Sequence, residues 1–378
     1  MQLLVATNWD PALISALGEL KDDIQVYGVL PTSTIGSGGS GPDIGKMEEK
    51  QAEEYIQQAH SAGLKFDYLL NAPSLSNMEW NESTHLELLE HLDWVSNMGI
   101  DSVTVTIPYL LELIKSQFPN LKARVSTIAH VDSVARAQFF QSLGADSITL
   151  DAHINRNFKV LRAIRNAVKC ELNILVNNLC LYQCPYEYYH HDTMGHASQS
   201  YNPANGCYAD YCVLRCTLDR LHDVSEVIKS RWVRPEDVSL YEEIGIDLFK
   251  ITGRSMPTER ILSAVTAYSS RHCNGNLYDI LNVLTPKVGF VNHTSTGGRN
   301  VTMEPPPKVY IDNQALEGFI DFFEKQDCLS GCGSCDYCRK IADQAIQFDR
   351  NEVNEYITKL EASLSDLSSS RVFKVNVR

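Results

Sequence analysis

Three phrases recur along the chain with nearly the same order of apolar and polar positions: MGIDSVTV at 98–105, LGADSITL at 143–150 and IGIDLFKI at 244–251. Each follows an amphipathic stretch. Each then sets a Gly where a helix C-cap takes a left-handed residue, followed by an Asp and a short β-branched run. This is the joint at which a helix feeds a strand, and SAGLKFDYLL at 61–70 is a looser copy. The first two joints lie about 45 residues apart, the size of a recurring supersecondary unit.

Apolar runs of the buried-strand type occur at QLLVAT, IQVYGVL, FDYLLNA, SVTVTI, ARVSTIA, SITLDA, ELNILVN and LFKITG. Helical patterns such as EEKQAEEYIQQAHSAG, HLELLEHLDWVSNMG, DSVARAQFFQSLG and NFKVLRAIRNAV separate them. Eight strands alternating with helices predict an α/β fold, a (β/α)8 TIM-like barrel, better than an open doubly wound sheet. The alternation breaks twice. From Cys180 to about Trp232 it gives way to a long Cys-containing loop after strand 7, and beyond residue 275 it stops. The expected organisation is therefore a barrel over 1–275 with a Cys-rich insertion at about 180–232. A C-terminal segment, 276–378, follows as a Cys-rich appendage ending in a helical pattern.

In such a barrel, functional residues lie at the C-terminal ends of strands and in the loops that follow. TSTIGSGGSGPDIGK at 32–46 occupies the second of these loops. It lacks the spacing of a phosphate loop or dinucleotide fingerprint, so it reads as a mobile lid or linker. Lys250 and Arg254 bracket the end of strand 8 in FKITGR, where Gly253 allows a sharp turn. There the planar guanidinium of Arg254 suits a carboxylate or phosphate. His130 after strand 5, and Asp151 with His153 after strand 6, stand where an imidazole can serve as acid or base. Adjacent histidines in PYEYYHHD, if extended, would point apart, which argues against a shared metal there.

With 378 residues, 44% hydrophobic and 21% charged, the composition is that of a globular protein with a substantial core. A net charge of -14 gives nucleic acid no global attraction and favours a small-molecule or peptide substrate, with a partner protein or electron donor also expected. The first residues lack a basic start and no apolar run is long enough to span a bilayer, so a cytoplasmic location is expected. In that reducing setting, the cysteines gathered in two regions, nine of the 11, read as metal ligands rather than disulfides.

Cys180 and Cys184, at the exit of strand 7, share a CxxxC spacing with Cys212 and Cys216, and Cys207 lies between the pairs. Four thiolates suit an iron-sulfur cluster or a structural zinc. Cys328, Cys332, Cys335 and Cys338 form a second run, CxxxCxxCxxC, similar to a ferredoxin binding run read backwards. A second cluster is expected there, with zinc as the alternative.

VSTIAHVDSVARAQFFQSLGADSITLD, then ELNILVNNLC, then the CxxxC of the seventh loop, then GIDLFKITGRSMPTE together resemble the peptidase U32 family. That resemblance implies oxygen-independent hydroxylases of a ubiquinone precursor, transfer RNA or ribosomal RNA, some taking the oxygen atom from prephenate. It also implies a four-iron four-sulfur cluster held by four cysteines, with Cys180 matching the strand-end ligand. The ligands are expected to be Cys180, Cys184, Cys212 and Cys216, with Cys207 as substitute. Arg254, Lys250, His130 and His153 are the candidate catalytic residues. The expected function is thus an iron-sulfur hydroxylase, set against two alternatives: a peptidase, and a zinc-stabilised binding module without catalysis.

Overall fold

A computed structural model describes residues 1–39, 47–202, 210–286, 304–328 and 331–369. The chain begins β1 (Gln2–Ala6), α1 (Pro11–Gly18), β2 (Asp23–Gly28), α2 (Glu49–Ser61), β3 (Lys65–Leu70), α3 (Glu82–Asn97) and β4 (Ser102–Val105). It continues α4 (Pro108–Gln117), β5 (Lys122–Val125), α5 (Val134–Ser142), β6 (Ser147–Thr149), α6 (Phe158–Ala167) and β7 (Glu171–Leu175). Helices α7 (Glu187–Ala197), α8 (Tyr211–His222), α9 (Ser225–Lys229) and α10 (Val238–Ile244) precede β8 (Leu248–Ile251) and α11 (Thr258–Ser270). The remainder is β9 (Val309–Ile311), α12 (Asp321–Lys325), α13 (Tyr337–Ala345), β10 (Ile346–Phe348) and α14 (Arg350–Ser368).

Strands β1 to β8 form a closed parallel barrel in sequence order, and β1 closes it by pairing with both β2 and β8, Val5 opposite Val26 and Ile251. The eight apolar runs are these eight strands. They read as continuous runs because the helices cover their outer face while the barrel interior covers the other. The three repeated joints are helix ends: Gly99, Gly144 and Gly245 take φ of +75°, +96° and +92°, a conformation that a Cβ disfavours.

The barrel interior also holds charge. Asp67 and Arg124 are ion-paired at 3.1 Å with side chains 0% and 3% exposed, and Ser102 and Thr104 each donate to the Asp67 carboxylate at 2.6 Å. Deleting one member of such a pair would strand the other and cost about 3–5 kcal/mol.

Two stretches are more ordered than their composition suggests. The span after β7 is largely helical, since α7, α8 and α9 occupy it. Rings and imidazoles on α7 follow no clear apolar period, which hides the helix from pattern reading. The second loop is tied down over 33–39: Ser33 bridges Gln199, Ser198 Oγ accepts from Ser37 N at 2.8 Å, and Asn71 Oδ1 accepts from Gly38 N at 3.0 Å. Residues 40–46 of that loop lie outside the described residues.

The C-terminal elements pack on the barrel side. Ile311, Leu316 and Phe319 join the main core, Phe319 stacking on Trp232 at 5.4 Å. Leu360 and Leu364 of α14 pack with Leu214 and Leu218 of α8.

Candidate functional site

Strand β7 delivers Cys180 to the barrel mouth, Cys184 follows in a turn, and α8 carries Cys212 and Cys216 one helical turn apart. Arg220, a further turn along α8, fixes that helix against the strand exit. Its guanidinium donates to Leu179 O at 2.8 Å, to Thr217 Oγ1 at 3.1 Å and to Leu284 O at 3.3 Å. Tyr186 Oη donates to Asp219 at 2.9 Å, which joins the turn after Cys184 to the same helix. Ser230 Oγ donates to Cys180 O at 2.6 Å.

These ties bring the four thiols into mutual electrostatic contact. Burial pushes Cys180 up to about 12, with the neighbouring Cys216, Glu187 and Cys184 adding to it. Burial likewise lifts Cys184 to about 11 and Cys212 to about 12. The Cys216 thiol is raised by burial while Arg220 works against that rise. Such thiols stay protonated at neutral pH unless a metal displaces the proton. All ten described cysteines are free; Cys207 lies outside the described residues.

A mononuclear zinc with Zn–S bonds of about 2.3 Å holds its sulfurs about 3.8 Å apart. Among the described residues no three thiols lie within 4.8 Å of one another. Four soft thiol ligands from Cys180, Cys184, Cys212 and Cys216 suit a multi-iron core, whose own edges hold its ligands apart, and suit a tetrahedral zinc if the side chains rotate inward.

Cys328, Cys332, Cys335 and Cys338 line one cavity of about 260 Å³, with Lys229, Arg231 and Arg339 among its walls. That volume is far beyond the ~15 Å³ needed for one water. Two of the three cations are already paired, Lys229 with Asp223 and Glu226 and Arg339 with Asp223, and Asp336 lines the same cavity, which leaves Arg231 as the cation facing the thiols. Cys332 and Cys335 are exposed. Burial raises Cys328 and Cys338, while Arg231 opposes the rise at Cys328 and Arg156 and Arg231 oppose it at Cys338. Arg231 also stacks on Tyr182 at 3.7 Å, and Tyr182 sits between Cys180 and Cys184 in sequence. One arginine therefore touches the surroundings of both thiol sets.

At the exit of β8, Gly253 adopts φ of +136°, where an added Cβ would strike Met256 Sδ at 2.6 Å. The turn leaves Arg254 half-buried at the mouth, against Gly39 of the segment that crosses it. Lys250 is 5% exposed inside the barrel, with its ammonium over the Tyr27 ring at 4.3 Å. Burial pulls Lys250 down to about 7; Asp67 opposes this, and the charges of Arg124 and Arg254 add to it. The two cations expected at strand 8 are thus neighbours, one permanent and one that exchanges its proton near neutral pH.

His130 Nδ1 meets Asp151 Oδ2 at 3.0 Å, and burial works against its charge while the Asp151 bond leaves its pKa raised overall. His153 has both ring nitrogens engaged: Nε2 with Glu187 Oε2 at 2.8 Å, and Nδ1 accepting from Gln183 N at 3.2 Å. The two histidines singled out in the sequence are therefore linked to α7. Glu187, Arg220, Arg231 and Tyr182 are not singled out by the sequence, and His191 enters there only in the histidine pair of PYEYYHHD, read as extended and so not as ligands of a shared metal, whereas the structure makes that stretch helical. For Glu187 and His191 the usable signal was their i, i+4 spacing, legible only once the stretch is read as helix. Asn8, Asn71 and Asn178, at equivalent strand exits, serve the loops: Asn8 donates to Met256 O at 3.1 Å, and Asn178 Oδ1 accepts from Cys180 Sγ at 3.4 Å.

Comparison with known proteins adds to this geometry. Residues 44–273 match the family model described as Peptidase family U32. An uncharacterized protease of Methanocaldococcus jannaschii is 30% identical over 331 residues, 86% of this chain and 90% of that protein. The tRNA hydroxylation protein P of Escherichia coli strain K12 is 27% identical over 129 residues, covering 33% of this chain and 26% of that protein. The solved structure of a U32 peptidase superposes with a TM-score of 0.50 at 23% identity, over 67% of this chain and 92% of that one, and so shares the fold. No described helix is long and apolar enough to cross a membrane.

Proposed function

The chain belongs to peptidase family U32, and from that premise we propose that it is an iron-sulfur enzyme carrying out an oxygen-independent hydroxylation at the barrel mouth. One observation carries the reading: the charges of Cys180, Cys184, Cys212 and Cys216 act on one another where β7 and α8 meet, beside the strand ends that form the pocket of such barrels.

A four-iron cluster bound there supplies one-electron chemistry. The chain's own residues provide the rest. Arg254 clamps an anionic group of the substrate through its planar fork. Lys250, with its proton exchanging near neutral pH, and His130, oriented by Asp151, hold and pass protons. Replacing C–H by C–OH without molecular oxygen balances when an organic donor gives up a hydroxyl and takes back a hydrogen. The substrate class is a small molecule, an RNA or a peptide. A relative named for tRNA hydroxylation supports RNA, whereas the net charge of -14 supports the other two.

A peptidase reading is favoured only by the names of relatives. Its thiol version needs a thiolate beside a base. The mouth thiols are instead raised by burial, and Cys180 and Cys216 donate to an amide oxygen and to Val213 O at 3.4 Å each. The zinc-stabilised module uses the same thiols, and metal content separates it from the cluster. Protein purified without oxygen is expected to be brown, to absorb near ~400 nm as sulfur-to-iron charge transfer does, and to contain iron and acid-labile sulfide. A colourless, zinc-loaded preparation, or cleavage of peptides by iron-free protein, would overturn the proposal.

A further inference from the structure

We propose that the barrel mouth holds a second, thiol-free metal site, in which His130, Glu187 and His191 bind one divalent first-row transition ion through two imidazole nitrogens and a carboxylate oxygen. It stands on its own geometry, whatever the thiols bind, and an ion there takes His130 out of proton transfer and leaves that role to Lys250.

A ligand atom from each of the three residues lies within 4.8 Å of the other two. Metal bonds of about 2.0–2.2 Å bring such atoms together with small side-chain rotations. Glu187 and His191 sit one turn apart on α7, and His130 reaches them from the exit of β5. His130 takes φ of +52°, an uncommon conformation for a residue with a Cβ, of the kind retained where a side chain must be aimed.

Each ligand is oriented from behind. Asp151 engages His130 Nδ1 at 3.0 Å, which leaves Nε2 as the nitrogen to bind an ion. His153 Nε2 bonds one Glu187 oxygen at 2.8 Å, leaving the second. Asp151 Oδ1 also accepts from His153 N at 2.8 Å, so the two supports are tied to each other. A carboxylate behind a histidine ligand is the arrangement that fixes tautomer and aim in metal sites.

A second observation points to a ligand from outside the chain. His191 Nδ1 is buried with no hydrogen-bond partner among the described residues. Leaving a buried polar atom unpaired is costly, and a bound ion at that nitrogen removes the penalty. Burial also pulls His191 to about 4, so the imidazole is neutral, the form that binds metal.

Two imidazoles and one carboxylate suit zinc or ferrous iron and leave coordination positions open for a water, hydroxyl or carboxylate oxygen. The site adjoins the thiols, because the Glu187 charge raises Cys180 and Cys184. An ion there would neutralise that carboxylate and present an oxygen-bearing substrate group beside them.

The test is an anaerobic titration of the full-length protein with Co²⁺, followed by absorption spectroscopy. Cobalt on imidazole and carboxylate gives weak visible bands, whereas cobalt on thiolate adds intense near-ultraviolet charge transfer. The expected result is one equivalent that adds weak bands without charge transfer, told from any thiol-bound cobalt by its loss in the ligand variants. Glu187→Gln and His191→Ala, with helix content unchanged by circular dichroism, should each weaken it about 100-fold or more, and Asp151→Asn about 10–100-fold. His196→Ala, on the same helix but bonded to Ser76 at 3.0 Å, should bind as the native protein does. Absence of any thiol-free equivalent in the native protein, or undiminished binding in both ligand variants, would overturn the proposal.

Discussion

Eleven residues of backbone gather Cys328, Cys332, Cys335 and Cys338, whereas Cys180 and Cys216 meet from positions about 36 residues apart in sequence. The first set is a local run with two exposed thiols. The second exists only once β7, the turn after it and α8 have docked, and Arg220 with Tyr186 does the docking. Closing a long loop costs entropy that the folded framework must already have met. The mouth set is therefore assembled by the packing of the barrel and α8, while the tail set is gathered by one short stretch of chain around its cavity. Placement follows the same division: the mouth set lies at the exit of β7 beside Glu187 and Arg220, and the local set lines a side cavity with Lys229, Arg231 and Arg339. That arrangement suits a reacting centre at the mouth and an electron relay or staple at the side.

The arginines offer the sharpest way to separate the two. Arg220→Ala should abolish iron binding at the mouth and leave the tail set loaded, since it unhooks α8 from Leu179. Arg231→Ala should have the smaller effect, weakening metal at the tail set about 10–100-fold as loss of a supporting group does, with the mouth set retained. Iron per protein and the visible spectrum of each variant check this. Equal losses in the two variants would mean that the sets assemble as one.

Much of this was legible in the sequence for definite reasons. Strands buried on both faces are apolar throughout, and the Gly at each helix end marks where the next strand begins, so the barrel could be read directly. Cys180, Lys250 and Arg254 were legible because strand ends in a barrel point at the site. The α7 contribution was not. Its helix is irregular in apolar period because the mouth takes up its polar side chains, and the assumption of extended backbone split His190 from His191. Arg220 and Arg231 were invisible for another reason: an arginine that acts by bonding distant carbonyls or rings leaves no local pattern. The ordering of 33–39 was likewise hidden, because it depends on Asn71 and Ser198 from other loops.

The smallest effect concerns the floor beneath the mouth set, which the tail set lacks. Lys250 is depressed to about 7 in the fold against 10.5 in a free chain, so the unfolded state binds more protons between those values. Folding stability should therefore rise with pH from about 7 towards 10 by more in the native protein than in Lys250→Met, as read by urea unfolding. A stability difference between the two that is flat over this range would contradict the placement of that amine.

The most direct test of the central claim, that thiols preassembled at the barrel mouth hold an iron-sulfur cluster distinct from the one at the tail, is iron and sulfide quantification. It compares anaerobically prepared native, Cys180→Ala and Cys335→Ala proteins. Each variant should lose one cluster and keep the other, with the Cys180→Ala protein still folded. Unchanged iron and sulfide in Cys180→Ala would contradict the account.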